Sequence, residues 1–328
     1  MRLPAELLDA VQQETDKLDR RQLLRATGQL TEHYQAADFS TPAVNTEAHR
    51  AAYLAVRMPA TYAALRRVFA ELRLRAPRAD VSSMLDLGAG PGTALFAASE
   101  EFNVQQATML EADVGWIALG KHLAAQFPPS VAIQTQWVKQ DLRSGFSCKA
   151  YDLVVISYTL GELPQGAAEA VLRKAWICAS KFLVLVEPGT RRGFAAMHAA
   201  RSSLIAGAAH IIAPCPHHAA CPMAAAGDWC HFSQRMERTS LHRQLKGGEL
   251  GHEDEKFSYL IAAKADAVSA DAAPIPARIV RHPGKHSGHV QLSLCTPQGG
   301  IETRTVTRSS KSIYKLARKA EWGDTWME

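Results

Sequence analysis

The stretch VSSMLDLGAGPGT, Val81 to Thr93, decides the fold. An apolar run ends on an acid, Asp86, and breaks at once into glycines at 88, 90 and 92. Glycine lacks a Cβ, so the backbone there can turn tightly and approach a ligand closely. Three more short apolar runs follow: ATMLEAD (107–113), YDLVVISYTL (151–160) and FLVLVEPG (182–189), with amphipathic stretches between them. Strands alternating with helices predict an α/β fold built on a parallel sheet with crossover helices. Ligands of such sheets lie outside the carboxyl ends of the strands, where the acids and glycines of this chain fall.

Glu111 ends the second run, 25 residues after Asp86. A carboxylate there suits two hydroxyl hydrogen bonds from a ribose. Asp141, in VKQDLRSG, is placed to accept from an adenine amino group. Three acids without the lysine of a P-loop do not suit a triphosphate; they suit S-adenosylmethionine, which is positive at its sulfonium. The segment resembles the class I S-adenosylmethionine-dependent methyltransferases, with LDLGAGPGT as the first motif. That resemblance implies a Rossmann-like sheet and a cofactor site at Asp86, Gly88, Gly90, Gly92, Glu111 and Asp141. The acceptor end is different. Where amino methyltransferases carry Asn or Asp, then Pro-Pro and an aromatic residue, this chain has Ser157-Tyr158-Thr159-Leu160-Gly161-Glu162, and no catalytic residue is assigned. Tyr158 and Glu162 are expected to be structural, and Cys148 and Cys178 to be small buried hydrophobes.

Outward from this core, residues 1–78 read as a helical N-terminal region. Tyr62, Leu65, Phe69 and Leu72 recur at helical spacing, and an earlier helix ends before Pro59. The N-terminal segment lacks the apolar core of a secretory signal and carries acids throughout, so the expected location is cytoplasmic. No apolar run approaches the roughly 20 residues that span a bilayer, and no membrane partner is expected. The formal net charge is +5, unevenly spread: nine Lys or Arg against one acid, Glu302, lie between Arg278 and Lys319. Such a tail favours a polyanion.

The segment from Cys215 to Leu260 interrupts the strand–helix pattern. It sets Cys215, Cys221 and Cys230 within sixteen residues, among His217, His218 and His231, and a fourth cysteine follows at Cys295. In a chain read as cytoplasmic, thiols or metal ligands are expected rather than disulfides. Gaps of five and eight residues are wider than a zinc knuckle uses; they suit a larger object such as a four-cysteine iron–sulfur cubane. The histidines keep a Cys3His zinc site as the alternative.

CPHHAACPMAAAGDWCHFSQRMERTSLHRQLKGGELGHEDEKFSYL, with AYLAVRMPATYAAL before it and RIVRHPGKHSGHVQLSLC after it, resembles the methyltransferase-like family of mitochondrial small-subunit ribosome assembly factors, which has bacterial members. The resemblance implies a [4Fe-4S] cluster on Cys215, Cys221, Cys230 and Cys295, and association with the small ribosomal subunit. After Cys230, Arg235, Arg238, Arg243 and Lys246 interleave with rings, and Arg278, Arg281 and Lys285 lie in the basic tail; these are the candidate contacts to rRNA, and no DNA partner is expected. The tail, with turns at Pro283-Gly284 and Gly299-Gly300, reads as a small antiparallel unit. KSIYKLARKAEW follows as a basic helix or arm.

The expected organisation is therefore a helical region (1–78), a methyltransferase-like domain (79–265) interrupted by a Cys-rich insert (211–252), and a basic C-terminal β extension (266–328). The expected function is a cofactor-binding, cluster-containing factor for small-subunit assembly or translation. The alternative is an active rRNA methyltransferase with a structural zinc or iron–sulfur site.

Overall fold

The computed structural model describes residues 1–36, 44, 46–268 and 275–327. The chain begins with helices α1 (Ala5–Thr15), α2 (Arg20–Ala36), α3 (Glu47–Val56) and α4 (Met58–Arg75). Thr46 starts α3, its hydroxyl accepting from His49 N at 3.1 Å as an N-cap. Pro59 falls in the first turn of α4, where its missing N–H costs nothing. Tyr62, Leu65, Phe69 and Leu72 are all buried, as their spacing predicts.

The alternating segment follows: β1 (Ser83–Leu87), α5 (Thr93–Ser99), β2 (Gln106–Glu111), α6 (Val114–Gln126), α7 (Pro128–Val131), β3 (Gln134–Lys139), β4 (Tyr151–Ser157), α8 (Gln165–Cys178) and β5 (Ala179–Pro188). Next come α9 (Arg191–Ala206), β6 (His210–Ala213), α10 (Pro222–Ala225), β7 (Phe232–Glu237), α11 (Ser240–Lys246) and β8 (His252–Ala263). The chain closes with β9 (Ala277–Ile279), β10 (Gly284–Lys285), β11 (His289–Cys295), β12 (Ile301–Thr307), α12 (Lys311–Lys319) and β13 (Thr325–Trp326).

Two compact units form. The first comprises Met1–Ala70, Asp80–Ser180 and Gln234–Glu255; the second comprises Glu71–Ala79, Lys181–Ser233 and Lys256–Glu328. In the first, β3, β2, β1 and β4 lie in that order, all parallel. The order reverses direction between β1 and β4, which is where a doubly wound sheet opens its ligand crevice. Asp86 is the penultimate residue of β1 and Glu111 the last of β2, both at the carboxyl edge. In the second, β8 lies between β5 and β6, antiparallel to both.

Antiparallel β8 departs from the all-parallel expectation. The chain enters β8 from its partner β7 across the short α11, without the helical crossover that a parallel strand requires. The remaining strands of the second unit form the antiparallel β10-β11-β9-β13 sheet, with β12 paired to β11. Val290, Leu292 and Leu294 alternate inward along β11 and pack with Ile279, Val306, Ala317 and Trp326. Burying each such aliphatic side chain contributes about 1.5–3 kcal/mol before entropy is counted.

Cys148 and Cys178 are joined as a disulfide, where reduced, buried thiols were expected. The end of α8 and the loop before β4 bring their Cα atoms to 6.1 Å, within bridging range.

Candidate functional site

In the first unit, the turn after β1 holds Gly88, Gly90 and Gly92 at φ of 78°, 53° and 88°, a region that side chains disfavour. At Gly88 space is also restrictive: a Cβ would lie 2.5 Å from Thr159 Oγ1. Gly90 N donates to Glu111 Oε2 at 2.8 Å, and Asp113 N to Oε1 at 3.0 Å. Two backbone donors therefore aim the Glu111 carboxylate, although burial pushes its pKa up. Asp86 is 1% exposed, and among the described residues neither of its carboxylate oxygens has a hydrogen-bond partner. Burial first, and the Glu111 charge second, push its pKa up to about 8. A carboxyl buried without partners beside a second acid is relieved by a cation.

Asp141, expected to accept from an adenine amino group, lies just after β3 and is paired within the chain. Arg143 grips it through Nε (3.0 Å) and Nη2 (2.7 Å), and this pairing holds its carboxyl below the usual range.

A polar node that sequence reasoning missed sits at the end of β4. Tyr158 takes φ of 56°, rare for a bulky residue. Its hydroxyl donates to Glu255 Oε1 at 3.1 Å, and Arg57 Nη2 lies 3.5 Å from the same oxygen. The Arg57 guanidinium also lies over the Tyr34 ring, 5.7 Å from its centroid. Burial first, and the Glu255 charge second, push the Tyr158 phenol far up. The loop that carries acceptor chemistry in other methyltransferases is thus tied down by the protein's own side chains. Only the positive φ distinguishes it, and no sequence pattern announces that for a tyrosine.

In the second unit, Cys215, Cys221, Cys230 and Cys295 line one cavity of about 50 Å³, several times the roughly 10–15 Å³ that one water needs. All four are free thiols. Phe194, Met197, Met223 and Phe232 supply apolar wall. The cis peptide before Pro214 leads into the first cysteine, and β11 ends on the last. Burial raises the pKa of the Cys215 and Cys230 thiols. Cys295 is pushed up to about 12 by burial and then by the charges of Cys215 and Cys221. The thiols therefore feel one another, and their thiolates together require positive charge.

Two buried arginines supply part of it. Arg201 donates from Nη2 to the His217 and Ala219 carbonyls at 2.8 and 2.9 Å, fixing the loop between Cys215 and Cys221. Among the described residues it has no carboxylate partner. Arg278 donates to Pro214 O at 3.1 Å and Gly323 O at 2.7 Å, and pairs with Glu71 at 2.6 Å. His217 Nε2 lies 3.5 Å from Cys295 Sγ. Among the described residues, no group of three His, Cys, Asp or Glu stands ready to hold a metal ion.

The candidate rRNA cations divide. Arg278 is 1% exposed and belongs to this buried network, which corrects its expected place on a surface. Arg281 is paired with Asp228. Arg235 forms a fork with Asp254 at 2.8 and 3.0 Å. Arg238, His242 and Lys246 converge on Glu253 at 2.8, 3.1 and 3.0 Å. Arg243 and Lys285 remain exposed.

These features define a class I methyltransferase fold with a separate pocket of four thiols. The chain belongs to the family described as "Mitochondrial small ribosomal subunit Rsm22", which matches residues 47–327. It is 28% identical over 332 residues to the human "Ribosome assembly protein METTL17, mitochondrial", covering 95% of this chain and 68% of that protein. It is 27% identical over 177 residues to the Saccharomyces cerevisiae "Ribosome assembly protein RSM22, mitochondrial", covering 35% of this chain and 28% of that one. The chain spans 42% of the Schizosaccharomyces pombe Rsm22-cox11 tandem proteins, at 26% identity. Among solved structures, magnesium protoporphyrin IX methyltransferase from Synechocystis with bound SAM matches with a TM-score of 0.41 and 12% identity, over 72% of this chain and 91% of that one. A putative RNA methyltransferase from Pyrococcus horikoshii matches at 0.40 and 12%, over 61% and 82%.

Proposed function

We propose that this chain is a small-subunit ribosome assembly factor that binds S-adenosylmethionine on its first unit and carries a [4Fe-4S] cluster on Cys215, Cys221, Cys230 and Cys295. Family membership across residues 47–327 carries the ribosomal part of the reading.

The cofactor reading is supported by the buried, partnerless Asp86 carboxyl and the glycine turn that leaves Gly90 open above it. A ligand bearing an ammonium and a sulfonium matches that demand, with Glu111 on the ribose. Asp141, exposed beside Arg143, keeps acceptor capacity for an adenine amino group. The cluster reading is supported by the convergence of four free thiols, from a loop and a distant strand, on one apolar cavity beside Arg201 and Arg278. A cubane with four thiolates is net anionic, would hold the thiols deprotonated, and would pin the cysteine loop to β11. The single observation that favours zinc instead is His217 at 3.5 Å from Cys295 Sγ.

Methyl transfer is not required by this reading, because the loop at Tyr158 is engaged with Glu255 and Arg57. The test is to fractionate ribosomal particles from cells carrying tagged protein and to measure iron and sulfide in the anaerobically purified chain. Co-migration with small-subunit precursors and a broad absorbance near about 400 nm are expected. Migration with no ribosomal particle, or stoichiometric zinc without iron, would overturn the respective halves of the proposal.

A further inference from the structure

The two cation-rich segments of the chain are not equivalent. In 235–246, Arg235, Arg238 and Lys246 are ion-paired with Asp254 or Glu253, whereas in the C-terminal segment Arg278 and Arg281 are paired and the cations of α12 and the turn beside it are not, among the described residues. On α12, Tyr314 and Ala317 face the core, which leaves Lys311, Lys315, Arg318 and Lys319 as an exposed stripe at the i, i+4, i+7 and i+8 positions. Arg318 Nη1 donates to His286 O at 3.3 Å, joining the stripe to the β10–β11 hairpin that carries exposed Lys285. Arg308 N donates to Gly288 O at 3.1 Å, setting a further exposed cation at the same turn. Among the described residues, none of these six cations has an ion-pair partner. Beside them, the rings of His286 and His289 stack with centroids 4.6 Å apart.

This arrangement is unfavourable in isolation. Lys311/Lys315 and Lys315/Lys319 are like-charge i,i+4 neighbours and Lys315/Arg318 an i,i+3 pair, each of which weakens a helix. A polyanion relieves that repulsion along the whole stripe. We propose that α12 and the β10–β11 turn form an RNA-binding face, with Lys285, Arg308, Lys311, Lys315, Arg318 and Lys319 on phosphates and the His286–His289 stack against an unpaired base. This deepens the assembly-factor reading and rests on it for the biological source of the RNA. RNA is favoured over an anionic membrane because the cations lie beside stacked histidine rings that can take a base, while only two large apolar side chains of α12, Ile313 and Leu316, are exposed. The neighbouring β12 also presents threonines, Thr303, Thr305 and Thr307.

The test uses the full chain and a fluorescein-labelled RNA stem–loop, with fluorescence anisotropy read across a salt series. Each phosphate contact contributes a slope of about 0.7–0.9 in log K against log salt. K311Q/K315Q/K319Q is expected to lower affinity at least tenfold and reduce the slope by about 2–3. R235Q/R238Q should leave both unchanged. H286A/H289A should weaken binding with the slope unchanged, because stacking releases no counterions. These substitutions are on exposed or internally paired residues, and circular dichroism confirms folding. An unaltered slope in the triple lysine variant overturns the proposal. So does loss of binding to phosphatidylserine vesicles in that variant with RNA binding intact. Co-sedimentation with small ribosomal subunits separates the two levels. If wild type and the triple variant co-sediment equally, this face is not the contact, whereas the assembly-factor reading stands. If wild type itself does not co-sediment, that reading fails, even where the purified protein binds the stem–loop as expected.

Discussion

The glycine turn of the first unit and the thiol pocket of the second both concentrate buried acidic groups, and they resolve the problem in opposite ways. At the turn, Asp86 keeps its carboxyl protonated up to about pH 8 for want of any partner. In the pocket, Arg201 and Arg278 stand beside the thiols, held by carbonyls and by Glu71, and apolar side chains close the wall. A site that leaves its charge unmet suits a ligand that comes and goes. A site that surrounds its charge with fixed cations and chain segments distant in sequence suits a resident group. On the proposed reading, the contrast is between an exchangeable cofactor site and a structural one that share no residues.

The largest effect that would break this contrast is expected from Cys221→Ser. If the pocket holds a resident group, its loss should expose both the 215–230 loop and the tail beyond 275 to limited proteolysis, while peptides of the first unit stay protected. Unchanged cleavage would make the thiols independent of one another.

Arg278→Met comes next. It leaves Glu71 paired with Arg75 but strips the Pro214 and Gly323 carbonyls of their buried donor, and urea denaturation should show a loss of about 1–3 kcal/mol. Arg235→Gln breaks an exposed fork, and should cost at most about 1 kcal/mol.

At the turn, Gly88→Val meets both the positive φ and the Thr159 side chain, so calorimetry should find no S-adenosylmethionine binding and a destabilisation of about 1–3 kcal/mol.

The smallest effect sharpens the electrostatics. A cationic ligand favours ionised Asp86, so affinity for S-adenosylmethionine should rise with pH, approaching tenfold per unit below about pH 8, and then level off. Asp86→Asn should be flat. In the ligand-free protein the sign is reversed. The raised pKa makes Asp86 a contributor to stability at low pH, and that contribution should be lost as pH climbs from about 4 through about 8. Melting temperatures of wild type and Asp86→Asn across this window check it.

Much of the first unit was legible because its determinants are local. Continuous apolar runs marked β1, β2 and β4 there, as one did β5 in the second unit, and the glycines marked the turn. Strand β3 was not read, because Gln134–Lys139 lies at the end of its sheet with four of its six positions polar and no residue fully buried. The cysteines that line the thiol pocket were legible from their type and number, although nothing in spacing alone chooses their occupant. The fate of the cations was not legible. Arg278 meets Glu71 across 207 positions, and Arg235 and Arg238 meet acids 19 and 15 positions away through the pairing of β7 with β8. A charge count cannot tell a paired arginine from an exposed one; only the fold supplies the partner.

The central claim is that the thiol pocket serves a ribosomal function rather than the turn's chemistry. Gradient sedimentation of lysates carrying tagged wild type, Cys221→Ser or Gly88→Val tests it most directly. The account predicts wild type in the small-subunit precursor fractions and Cys221→Ser near the top of the gradient. Cys221→Ser sedimenting with precursors as wild type does, while Gly88→Val is lost from them, would contradict it.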